Sequence, residues 1–188
     1  MTVRLGDTRT GATMRIATSL LALLVAASPL AAQTAEKATM LADWQRSKEN
    51  VLRYVDAMPD SLMTYRPTPG VRTFAEQMEH IVSTNNDVAA TAILGLTRTP
   101  AFGDSTRFLY SRSALHEHVE QSYDYLLGAL REATPAQLAH RSSMYRQPDE
   151  TTMRWLQLSL EHTVWTMGQV VPYLRLNHVT PPAYSMPF

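Results

Sequence analysis

Glu161-His162-Thr163-Val164-Trp165-Thr166-Met167-Gly168-Gln169, running on into Tyr173-Leu174-Arg175, decides the reading of this chain. Upstream of it, Trp155 and Leu158 recur at helical spacing with His162, Trp165, Gln169, Tyr173 and Leu176, so the spacing predicts one long helix starting around Thr151–Thr152. Pro181-Pro182 closes it. His162 and Gln169 fall on the expected inward stripe, where an imidazole must find a hydrogen-bond partner or a metal, because a bare buried polar group costs a few kcal/mol. Pro172 lies inside this helix and withholds the donor that the Gly168 carbonyl would otherwise receive.

Working back, three more amphipathic segments are expected. The first spans about 36–58, with Leu41, Trp44, Lys48, Val51, Val55 and Met58 on one stripe and Pro59-Asp60 as its stop. Lys48 is expected to carry its ammonium out to the surface. The second opens at Thr73, with Glu76 three residues on as a capping box, and buries Phe74, Met78, Ile81, Asn85, Val88 and Ala92 before fading near Gly95. The third starts near Ser111 or Ser113, buries Leu115, Val119, Ser122, Leu126 and Ala129, and ends at Thr134-Pro135, with one further short turn after it. Residues 97–110 read as irregular, Tyr65 to Arg72 as a proline-shaped connector, and alternating strand patterns are absent. The expected fold class is therefore all-α, a four-helix bundle.

Met14-Arg15-Ile16, an uncharged run from Ala17 to Ala27 and then Ser28-Pro29-Leu30-Ala31-Ala32-Gln33 have the order of a secretory signal peptide. Residues 1–32 are assigned to it, with Met14 as an alternative start, and residues 33–188 to one helical domain. The expected destination is periplasmic or extracellular, with no integral span left after cleavage, since the apolar run is short. Removal of Arg4, Asp7, Arg9 and Arg15 leaves 14 basic against 16 acidic side chains, a net charge of −2, which argues against nucleic acid as a partner. Without a single cysteine, disulfides and thiolate chemistry are excluded.

His80, in Met78-Glu79-His80-Ile81, is the second candidate ligand. Imidazoles contributed by two helices are how bundles build metal sites, and imidazole suits zinc, nickel or iron. Water or a carboxylate (Glu79, Glu161 or Asp87) is expected to complete the shell. His116 and His118, among Glu117 and Glu120, read as a solvated face. Trp44, Trp155 and Trp165 read as core, and Arg66 and Arg72 as solvated or anion-binding.

The run His162 to Arg175, together with Tyr65-Arg66-Pro67-Thr68-Pro69-Gly70-Val71-Arg72-Thr73-Phe74 and Glu79-His80-Ile81, resembles the DinB-like (YfiT-like) family across the whole mature chain. The resemblance implies a four-helix bundle holding a divalent metal on three histidines, one on the second helix and two spaced four apart on the last. His80 and His162 match two of them, and Thr166 stands at the third. It also implies a small-molecule substrate, homodimer formation, and metal-dependent hydrolase or thiol-transferase chemistry. No catalytic residue follows from it. The alternative is a non-catalytic, metal-free bundle that binds a small apolar ligand or a protein partner.

Overall fold

The structure, a computed structural model, describes residues 11–186, with side chains from residue 31 onward. Of the expected leader, 1–32, residues 1–10 lie outside the described residues, and up to residue 30 only the backbone is described. Six helices follow in order: α1 (Gly11–Ala57), α2 (Phe74–Asp87), α3 (Ser105–Phe108), α4 (Arg112–Glu132), α5 (Pro135–Ala139) and α6 (Thr152–Leu176). The compact unit that carries the bundle begins at Met40. The last turns of α1 join α2, α4 and α6 around one core that includes Trp44, Val55, Phe74, Met78, Ile81, Leu115, Leu126, Leu156 and Val170. The all-α bundle expected from the sequence is what forms. Among the described residues, no helix is long and apolar enough to cross a membrane.

The caps explain where the elements begin. Thr73 Oγ1 accepts from the Glu76 amide (3.2 Å), and Glu76 returns its carboxylate to the Thr73 N–H (2.6 Å), so the capping box closes as expected. Thr134 and Gln137 form a second box at α5, and Thr151 caps α6 through the Arg154 amide (3.1 Å). After Asp87, α2 widens into a π turn, Val88–Ile93, whose exit is marked by the Leu94 N–H donating to the Ala89 carbonyl at 3.1 Å. Gly95 ends it at φ +65°, a conformation that favours glycine.

Some expectations are corrected. The first helix starts at Gly11 instead of about Glu36, since the intervening Ala- and Leu-rich sequence favours helix. The stretch 97–110 contains the short α3, and Arg141–Ser142 pairs antiparallel with Glu150–Thr151 as strands β1 and β2. The phase of α6 is also different. Its buried face is Trp155, Leu156, Ser159, Thr163, Thr166, Met167, Val170, Tyr173 and Leu174, while Gln169 is exposed and Trp165 and Leu176 are 72% and 58% exposed. The hydroxyls on that face are satisfied inside the bundle. Asn85 Oδ1 accepts from Ser159 (2.8 Å) and Thr163 (3.3 Å), so polar residues occupy a stripe that hydrophobicity alone would place elsewhere. Lys48, expected to carry its ammonium to the surface, is instead buried, and its ammonium meets Asp124 of α4 at 2.6 Å.

Candidate functional site

His80 leaves α2 beside the buried Gln77 and Ile81, and His162 leaves α6 beside the buried Thr163, both at the margin of the core. Their Nε2 atoms lie 3.0 Å apart, and the rings meet edge to face with centroids 4.7 Å apart. Two neutral imidazoles can share one proton at that distance, one donating and the other accepting. His162 Nδ1 is buried with no hydrogen-bond partner among the described residues. The pKa of each ring is pushed below the ordinary histidine value. For His80 the causes are burial, then the Arg72 guanidinium and the His162 ring, against an opposing pull from Glu79; for His162 they are burial and Arg72. Both rings are therefore predominantly neutral at neutral pH.

Thr166 lies one turn beyond His162, fully buried, with Oγ1 3.5 Å from His162 Nε2. His80 and Thr166 thus both lie against His162 Nε2. The carboxylates do not join them. Glu79 turns instead to His118 on α4, whose Nε2 it contacts. Asp87 is taken by the Thr99 hydroxyl and by Tyr145, whose hydroxyl donates to Oδ2 at 3.3 Å. Glu161 is exposed. Among the described residues, no group of three or more His, Asp or Glu side chains is placed to hold a metal ion.

His118 overturns the expectation of a solvated face. It is 4% exposed, lies flat against Phe108 (centroids 3.9 Å, interplanar angle 5°) and anchors Glu79 directly beside His80. His116, by contrast, remains near the surface with Asp56 at 2.7 Å. Sequence spacing could have suggested the difference, because His118 precedes Val119 and Ser122 of the buried stripe.

Two cavities open beside the imidazoles. An apolar one of about 280 Å³ is lined by His80, Val88, Tyr145, Trp155, Leu158 and His162. A polar cleft of about 580 Å³ is lined by Arg66, Arg72, Glu76, Glu79, His80 and Ser83. The Arg72 loop is held in place by Tyr173 of α6, whose hydroxyl donates to the Arg72 carbonyl at 2.7 Å.

Fold and site together define a class: helical bundles with an imidazole pair where the second and last long helices meet. The sequence profile of the DinB superfamily matches residues 43–182, and the chain belongs to that superfamily. A DinB-like protein from Bacillus cereus superposes with a TM-score of 0.63 at 20% identity, covering 78% of this chain and 95% of that one. A DinB-like protein from Bacillus subtilis gives 0.62 at 16% identity, covering 78% and 98%. At these identities the likeness is one of fold. No curated protein matches the chain.

Proposed function

We propose that this is an exported DinB-superfamily protein that binds a divalent cation between His80 and His162. The observation that carries this reading is the 3.0 Å approach of two Nε2 atoms from different helices, on rings kept neutral by their surroundings. Two Zn–N bonds of about 2.0–2.1 Å at a tetrahedral angle separate their nitrogens by roughly 3.3 Å, close to the 3.0 Å present. With Thr166 in place of a third imidazole, a cation held by His80 and His162 would need water or substrate to complete its shell, one protein ligand fewer than the usual catalytic zinc site. A bound cation would supply Lewis acidity and lower the pKa of a coordinated water or thiol, the chemistry a hydrolase or thiol transferase requires. His80 and His162 then bind and orient, Thr166 presents a hydroxyl at the vacant place, and the apolar cavity receives substrate. Export rests on the Met14–Gln33 pattern.

Elemental analysis of untagged protein tests the cation. About one equivalent in wild type, lost in His80→Ala/His162→Ala, is expected; wild type and double mutant with equal trace metal would overturn it. Intact mass of protein recovered from the expression host is expected to begin at Gln33, and an uncleaved chain would count against export.

A second reading is favoured by the apolar cavity itself. In a metal-free binding protein, Val88, Tyr145, Trp155 and Leu158 would hold a small apolar molecule, with the imidazoles hydrogen-bonded to each other.

A further inference from the structure

His80 lines both cavities, so the apolar chamber and the polar cleft share its imidazole as a common wall, with His162 on the chamber side. Their walls differ in kind. On one side, the Tyr145 and Trp155 rings stand edge to face, centroids 6.5 Å apart, with Val88 and Leu158 completing a hydrocarbon surface. On the other side stand two guanidinium groups and two carboxylates. The carboxylates are already engaged: Glu76 by the Thr73 amide and by Arg66 at 3.7 Å, and Glu79 by His118. Arg72 remains. Among the described residues its guanidinium has no hydrogen-bond or ion-pair partner, while its backbone is pinned by Tyr173. The cleft thus holds one guanidinium with no direct hydrogen-bond or ion-pair partner, in the field of Glu76, next to an apolar chamber.

We infer that the site takes a small amphiphilic carboxylate, with an aromatic or branched aliphatic body against Tyr145 and Trp155, its middle over His80 and His162, and its carboxylate on Arg72. This deepens the function proposed above and rests on it only in taking the imidazole pair as the centre of the site. Arg72 is suited to the task because a guanidinium meets a carboxylate with two parallel hydrogen bonds. The chamber is suited because apolar walls with few polar groups bind by area and leave orientation to the charge.

Calorimetric titration with 3-phenylpropionate and its neutral analogue 3-phenylpropanol, on EDTA-treated and on zinc-supplemented protein, tests this. The acid is expected to bind EDTA-treated wild type at least about tenfold more tightly than the alcohol, the range of a charge-assisted hydrogen bond. Arg72→Gln, an exposed change, should erase that preference and leave the alcohol unaffected. Tyr145→Asn, which tolerates the positive φ of 54° at that position, should weaken both. Equal binding of acid and alcohol to wild type, or binding of neither, overturns the inference. Acid binding that appears only with zinc and ignores Arg72→Gln places the carboxylate on the metal: the inference then fails while the cation reading stands. Arg72-dependent binding by protein that retains no metal has the opposite meaning.

Discussion

Thr166 is the residue on which the chemistry turns. Its β-carbon occupies the position, one helical turn from His162, from which a longer side chain could reach the space between the imidazoles. A hydroxyl 3.5 Å from Nε2 is a weak partner, and a neutral threonine is a poor ligand for zinc. Thr166→His is therefore expected to tighten zinc by at least about tenfold, as a third imidazole converts an open pair into a chelating triad. Competition with a chromophoric chelator measures this, and unchanged affinity would mean that the backbones stand too far apart for three ligands. Glu76 gives a different prediction. Its pKa is lowered chiefly by the hydrogen bond from the Thr73 amide, so its contribution is complete above the ordinary glutamate value of 4.5 and is lost as pH falls through the lower folded value. Thr73→Ala should cost about 1 kcal/mol at neutral pH, and Glu76→Gln should flatten the acid limb of a stability-versus-pH curve measured in urea.

At the scale of elements, α2 was legible almost entirely. A capping box fixes its start, and the residues at helical spacing from Phe74 to Ala92 are the ones it buries. The phase of α6 was not. Of its two tryptophans, Trp155 is buried but Trp165 points outward, and the true inner stripe carries Ser159, Thr163 and Thr166. Nothing local in α6 announces that Asn85, 74 residues away, will satisfy two of those hydroxyls. The imidazole pair was readable because His162 falls on the expected inward stripe of the last helix and His80 beside the stripe of the second. The Glu79–His118 contact was not, since it depends on how α4 turns against α2. Gly103 belongs to that same corner. It sits at φ +67°, and a β-carbon there would come within 3.1 Å of His118 Nδ1 and 3.2 Å of Phe108. Gly103→Ala should cost about 1–2 kcal/mol through backbone strain, with more added if the stacked ring cannot shift; thermal unfolding reads the loss.

For the whole molecule, one core couples the long helices. Leu126 is fully buried in it, so Leu126→Ala should cost about 2–5 kcal/mol, seen in urea as a lower midpoint with an unchanged slope. The same coupling gives the wide turn at Val88–Ile93 its importance. A π turn is one residue more than a regular helix needs, so everything after it is rotated by about 100° relative to everything before it. Ahead of the insertion, the helix is phased for His80 to meet His162. Behind it, the phase presents the Ala92 carbonyl to the Thr152 hydroxyl at 2.8 Å and the Ile93 carbonyl to the Gln137 amide at 3.2 Å. One rod thus serves two neighbourhoods that a uniform pitch could not satisfy together. Deleting Thr91 should restore the pitch and uncouple them: hydrogen exchange would quicken across 135–152, while protection around 78–85 and the imidazole contact stay as they were.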